Sequence, residues 1–471
     1  MTAMSLFTTC LVRTAETRSQ CMRWRPSGAR CYSASPASSS DPEWFQTLRN
    51  EMLNRPTVSY RENVHVETDE KLANSLSTFL PREWCRRRRP AGSILPLGHS
   101  LVYFNTAMPV DQLLPDGTDP LQSPGEPWTR RMWAGGSMEL NTEQYYHANR
   151  GFTAGSDMIC AERIQDVQLR GHGDAVKIFV TLHRRFARWD SLHGQDAPQA
   201  SFEQQLHSDE WGKALLKEER NLVFLTDKTA AEHESIRAGQ FVPVRYLESP
   251  GNPDFSHTLT PTRSLLFRYS ALTLNAHLIH LDREYARNVE GHRNLLVHGP
   301  LSLTLMLHAI CGHVKAKTKN RRIVESIRYR NLAPLYCDEE MRICGAMKNS
   351  LPTGDVYDIW IEGPTGGVAV KGTVRTVPKP RPIMPQFQHR PQGDRIKPSS
   401  YPSSGRDESI GRAKSTRGAT RAPPEHHRPT KSAHEARKMS ELNVALGLDD
   451  RTRPNSTEQP ETAADEPRKG D

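Results

Sequence analysis

Residues 267–282 read FRYSALTLNAHLIHLD and, twelve residues on, 295–310 read LLVHGPLSLTLMLHAI. The first block sets Asn275, His277 and His280 within six residues. The second runs His298-Gly299-Pro300 into an apolar segment, Leu301 to Ile310. Pro300 suits the first turn of a helix, where a backbone N–H has no intrahelical acceptor to lose. Gly312 reads as a C-terminal stop. The segment between is apolar on nearly every side, the pattern of a helix buried in a core. Such a helix start leaves unpaired N–H groups and a partial positive charge facing outward. An imidazole beside it can move a proton while those N–H groups hold a developing oxyanion. That combination suits abstraction of a proton next to a thioester carbonyl.

The two blocks resemble the hydratase signature of the MaoC-like, (R)-specific enoyl-thioester hydratases and dehydratases, which share the hotdog fold. Ser270-Ala271-Leu272-Thr273 matches its opening, His280 its signature histidine, Asp282 its closing aspartate and His298-Gly299 its helix start. The chain departs from the pattern at Asn275, where the family has aspartate, and at Leu278, where it has proline. The variant is similar to a sub-branch: the two-domain fungal mitochondrial 3-hydroxyacyl-thioester dehydratases and the bacterial mesaconyl-C4-CoA hydratase-like proteins. Pro96 to Leu140, which includes PLGHSLVYFNTAMPVDQLLPDGTDP and WTRRMWAGGSMEL, resembles the same sub-branch. The likeness spans residues 45 to 377.

The resemblance implies roles. His280 takes the part of the proton-transferring histidine, and the Gly299 N–H meets the thioester carbonyl. Asn275 cannot ionise, but its amide can hold the substrate hydroxyl or the catalytic water. Both proton transfers then fall to His280, or His277 or Asp282 assists. An inactive site is the other reading of the same substitution. Tyr269 and Arg268 are expected at the mouth of the pocket, with His277 and His298 beside the substrate. Tyr103, Arg131 and Trp133 are expected to shape the pocket from the first half. Without the resemblance, His280 reads better as a core histidine satisfied by a backbone carbonyl. His308 and His313 read as structural.

Composition narrows the class. The chain has 471 residues and a formal charge of +9. The excess sits at the ends: residues 1–40 carry five Arg and one Glu, and residues 378–471 carry 18 basic and 13 acidic groups. Residues 41–377 hold 40 of each sign, which argues against a nucleic-acid-binding core. The eight cysteines form no C-x-x-C pair, so neither a zinc site nor a disulfide framework is expected. Asn294 to Val314, the longest uncharged apolar run, is interrupted by His298, Gly299, Pro300, His308 and His313, so no transmembrane segment is expected. No P-loop or Rossmann pattern occurs, and no cofactor is expected. The phosphopantetheine arm arrives with the substrate.

Residues 1–40 are Arg- and Ser-rich and nearly free of acids, the composition of a mitochondrial transit peptide. Trp44 to Leu53 is a short amphipathic stretch. Arg86 to Arg89 reads as a solvated loop or a steering patch for phosphates. Strands are expected over Ser100–Thr106, 157–169, 175–185 and 221–226, with a hairpin turn at Gly171–Asp174. Trp128 to Leu140 could include a helix start. Residues 231–260 read as a linker containing Pro243, Pro250 and Pro253. After the apolar helix come strands at 323–329, 341–348, 356–362 and 368–377. Residues 378–471 hold 13 of the 34 prolines and two aromatics, and are expected to be disordered.

The expected fold is α+β, a double hotdog in which each module wraps a curved antiparallel sheet around a central helix. The modules span 41–230, without the signature, and 261–377. They form an internal pseudo-dimer, with homodimerisation open. The expected function is dehydration of (3R)-3-hydroxyacyl thioesters to trans-2-enoyl thioesters in type II fatty-acid synthesis of the mitochondrial matrix. The thioester would be carried by acyl carrier protein or CoA. Three alternatives stay open: a CoA-linked hydratase of the mesaconyl-C4-CoA type, a hotdog thioesterase, and a non-catalytic acyl-carrier-binding protein.

Overall fold

A computed structural model describes residues 41–380, apart from 86–88, 172, 174, 175, 193–198, 206, 207, 209 and 242. The transit-peptide stretch and nearly all of the expected tail lie outside the described residues. Ten strands form one antiparallel sheet. They are β1 (Val58–Asn63), β2 (Arg130–Leu140), β3 (Asp157–Arg170), β4 (Lys177–Arg188), β5 (Leu216–Leu225), β6 (Phe255–Leu259), β7 (Arg322–Asn331), β8 (Met341–Leu351), β9 (Gly354–Glu362) and β10 (Val368–Pro378). Their order is β1-β3-β4-β5-β2-β7-β10-β9-β8-β6. Each half therefore lays its five strands in the same order, first-third-fourth-fifth-second. The halves join where β2 pairs with β7, from Gly135 opposite Arg330 to Glu139 opposite Ser326. The pseudo-dimer is thus a continuous sheet with its two copies back to back at the seam.

The strands at 323–329, 341–348, 356–362 and 368–377 fall where the alternation put them, and Gly363–Gly367 turns between β9 and β10. Trp128–Leu140 contains a strand and no helix start. Two strands lie where none was expected. β1 is a mostly polar edge strand, and β6 lies inside the stretch read as a linker. That stretch also holds the helix Ala230–Arg237, started by a capping box of Thr229 and Glu232.

The second half wraps its sheet around a central helix, Gly299–Lys317. Every residue from Leu301 to Ile310 is buried, and the helix packs on β7, β8, β9 and β2. Gly312 does not end it. Its missing side chain instead makes room for Trp84: a Cβ there would lie 2.2 Å from the Trp84 ring.

The first half fills the same β-to-β connection differently. It has an 11-residue helix, Val66–Leu76, and a 3-10 turn, His99–Val102, rather than one long helix. Pro81, Pro90 and Pro96 between them each lack an N–H and disfavour helix in the preceding residue. Ser100–Thr106, expected as a strand, is largely this turn and the coil after it.

A buried polar chain ties the two pieces to the central helix. Asp69 Oδ1 lies 2.5 Å from His99 Nδ1, and His99 Nε2 lies 2.8 Å from His308 Nε2. His308 Nδ1 meets the Trp84 carbonyl at 2.8 Å. Arg89, the described end of the four-arginine run, pairs with Asp69 at 2.8 Å and is not a free loop charge.

Candidate active site

The motif helix, Arg263–Thr273, starts at Thr262, whose side chain accepts from the Leu265 N–H. It stops at Leu274, which takes the left-handed conformation (φ 50°). Asn275 then accepts the His277 N–H on its Oδ1 at 3.1 Å, folding the chain into an Asx turn. One helical turn follows, Leu278–Leu281, and it carries His280.

The segment before the central helix lies alongside. Leu296 N–H donates to the Ile279 carbonyl at 3.0 Å, and the Leu296 carbonyl lies 2.9 Å from His280 Nδ1. A carbonyl only accepts, so Nδ1 carries the proton and Nε2 keeps its lone pair. Burial pushes the His280 pKa down to about 4, opposed by the Leu296 hydrogen bond and reinforced by Arg131. The ring is therefore neutral near pH 7. It stacks on His298, with ring centroids 3.7 Å apart.

His280 opens onto a cavity of about 620 Å³ shared by the two halves. The second half contributes Asn275, His277, His280, Gly299 and Ser302. The first contributes Arg131 and Trp133 from β2, Leu182 from β4 and Leu222 from β5. The connection that replaces a long helix supplies another wall, with Leu101, Phe104 and Gly117. Gly299 is the first residue of the central helix, where a backbone N–H has no intrahelical acceptor. Its missing side chain matters: a Cβ would sit 2.8 Å from Asn331 Nδ2 and 3.1 Å from Trp133 Cβ. Asn331 Nδ2 is itself held on the Trp133 carbonyl at 2.8 Å, and Trp133 Nε1 donates to Tyr329 Oη at 2.8 Å. The seam between the halves thus fixes the floor beneath Gly299.

Six of the ten residues expected at the site line this cavity: His280, Asn275, Gly299, His277, Arg131 and Trp133. Four do not. Tyr269 is buried with its hydroxyl 3.3 Å from Thr304 Oγ1, packing the motif helix onto the central one. Tyr103 points into the core and donates to the His65 carbonyl at 2.7 Å. His298 is wholly buried beneath His280, its Nε2 2.8 Å from Ser270 Oγ. Arg268 lies on the exposed face of the motif helix. Arg131 is engaged by Asp119 and Gln122, both at 3.3 Å.

The turn Leu114–Thr118 was not anticipated at the site. It abuts the motif loop so closely that Leu278 N–H donates to the Asp116 carbonyl at 2.9 Å. Gly117 sits at φ +83°, and a Cβ there would meet the Ala276 carbonyl oxygen at 2.1 Å. The Asp-Gly pair marks a turn in sequence, but not which loop it touches.

Among the described residues, no cluster of His, Cys, Asp or Glu could hold a metal, and no helix is long and apolar enough to cross a membrane. The five described cysteines outside 1–40 are free.

Strand order, central helix and a histidine at a helix-start cavity define the class, a double hotdog with its cavity at the start of the central helix. The profile of the hydroxyacyl-thioester dehydratase type 2 family matches residues 98–337, and the chain belongs to that family. It is accordingly a hydro-lyase of hydroxyacyl thioesters, and a mitochondrial one. It is similar to the mitochondrial hydroxyacyl-thioester dehydratase type 2 of Schizosaccharomyces pombe, 26% identical over 58% of this chain and 85% of that one. It is also similar to mesaconyl-C(4)-CoA hydratase of Chloroflexus aurantiacus, 37% identical over 26% of this chain and 41% of that one. Among solved structures, a MaoC-like dehydratase from Phytophthora capsici aligns with a TM-score of 0.45 at 14% identity, over 70% of this chain and 99% of that one.

Proposed function

We propose that the chain converts (3R)-3-hydroxyacyl thioesters to trans-2-enoyl thioesters in the mitochondrial matrix, with His280 as the base. One observation carries this reading: the Leu296 carbonyl forces the His280 proton onto Nδ1, leaving Nε2 as a lone-pair acceptor beside a shared cavity. The thioester oxygen would sit on the Gly299 N–H at the positive end of the central helix. His280 Nε2 then takes the α-proton, charge builds on that oxygen, and the 3-hydroxyl leaves as water. Asn275 keeps its Oδ1 on the His277 N–H, so its amide serves as a turn and as a hydrogen-bond donor. No dissociable cofactor enters, because the thioester itself acidifies the α-carbon.

The carrier would be acyl carrier protein, as type II fatty-acid synthesis requires. A CoA-linked hydratase of the mesaconyl type is the second reading, favoured by the 37% identity to such an enzyme across 125 residues. Enoyl formation by the purified chain on matched acyl-carrier and CoA substrates tests both. Faster turnover on the carrier supports the first reading and faster turnover on CoA the second. Release of free thiol would make the chain a thioesterase. Tight carrier binding without turnover would make it a binding protein.

A further inference from the structure

A dehydration moves two protons: one leaves the α-carbon, and one must join the departing hydroxyl. His280 accounts for the first. Asn275, at the position of the family's second ionisable group, cannot carry the other. His277 can, because it also lines the cavity. Its ring lies 5.6 Å from that of His280, centroid to centroid.

What distinguishes His277 is the group behind it. His277 Nε2 lies 3.4 Å from Asp116 Oδ2, an atom supplied by the other half of the molecule. Asp116 is buried, and its two oxygens are divided in use. Oδ1 accepts from the Thr118 N–H at 2.9 Å and the Thr118 hydroxyl at 2.7 Å, which holds the carboxylate in its own turn. Oδ2 is buried without a hydrogen-bond partner and faces His277. A buried carboxylate oxygen with no donor is costly unless an opposite charge meets it. The close packing of Gly117 on Ala276 and the bond from Leu278 N–H to the Asp116 carbonyl fix this placement from the backbone.

We propose that Asp116 is a positioning residue for the reaction: it holds His277 as the second proton carrier, in place of the ionisable side chain that Asn275 lacks. The inference rests on the dehydratase reading of the same cavity. His280 Nε2 takes the α-proton, and the C–H electron pair forms the new double bond. The C3–O bond breaks, and the proton taken by His280 passes through water to His277, which hands it to the departing oxygen; that oxygen leaves as water, and both rings end neutral as they began. Burial, then His280, Arg131 and His292, hold the His277 pKa well below the usual imidazole range, so its ring is neutral at rest and carries the proton only in passing, 3.4 Å from the Asp116 carboxylate.

The test uses the full chain and a (3R)-3-hydroxyacyl-CoA, with rates of enoyl formation across pH. Asp116→Asn retains an Oδ1 acceptor for Thr118. It should lower kcat by about 10²-fold with KM unchanged. The whole kcat profile should drop while KM holds, because the proton in transit on His277 loses its counter-charge. Asp116→Glu should recover part of the loss. His277→Gln leaves the turn intact and should lower kcat similarly, and adding Asp116→Asn to it should cost nothing more. An Asp116→Asn enzyme with the parent's kcat and profile would overturn the proposal. So would an equal loss when Asp116→Asn is placed on His277→Gln. If either occurs while His280→Ala is inactive, the dehydratase reading stands and only the Asp116 role falls.

Discussion

The two halves of the sheet have one strand order and opposite interiors. In the second, the connection between the first two strands ends in a 19-residue helix with every residue from Leu301 to Ile310 buried. In the first, the same connection is an 11-residue helix, a 3-10 turn and loops, and part of it lines a cavity of about 620 Å³. The lesson is a division of labour. The solid half supplies a rigid helix start and the histidines. The hollow half supplies room for an acyl group, and a turn that abuts the histidine loop. Neither half holds a complete site.

The difference can be broken first at the helix start. Gly299→Val should lower kcat by about 10²-fold or more, because the side chain strikes Asn331 and Trp133 at the proposed oxyanion site. Parent-like turnover would remove Gly299 from the site. In the solid half, Leu305→Ala should cost about 2–5 kcal/mol in urea unfolding, since the residue is fully enclosed. A cost below about 1 kcal/mol would mean that half is loosely packed. Enlarging the two interiors should then separate them. Leu305→Phe overpacks and should cost about 1–3 kcal/mol. Leu222→Phe projects into the cavity and should cost less, while reducing turnover of the longest acyl substrates first. Equal penalties would deny that the halves differ.

The burial of the solid half's histidines should also show in pH-dependent stability. His280 folds with a pKa near 4, below the value of about 6.5 expected when unfolded. The unfolded chain thus binds more protons between those values, and stability falls as pH drops from about 6.5 towards 4. The shift corresponds to on the order of 3 kcal/mol. His308, driven to about 3 by burial and by His99, acts in the same direction. Thermal midpoints measured from pH 7 to 4 should fall, and His280→Gln should flatten the upper part of that slope. An unchanged slope would mean the ring is not buried as described.

Much of this was legible because it is local. The His-Gly-Pro start, the apolar run and the alternating strands after it are written in consecutive residues, and they fall where expected. What escaped depends on contacts between distant residues. β1 (VSYREN) alternates over its first four residues only, too short a run to mark a strand. Gly312 signals a helix end, and only the distant Trp84, which packs where a Cβ would be, shows that this glycine serves packing instead. Tyr269 and Tyr103 have the chemistry of pocket residues, but packing turned both hydroxyls inward. Asp116 stands 161 positions before His277 in the chain, and nothing near it says that the two meet.

The account depends most on His280, and its alanine variant is the most direct test. Full-length parent and His280→Ala should be compared for enoyl formation on (3R)-3-hydroxyacyl substrates, with circular dichroism showing that both are folded. The expected result is a folded variant whose rate is lower by about 10³-fold or more. A folded variant that dehydrates at close to the parent rate would contradict it.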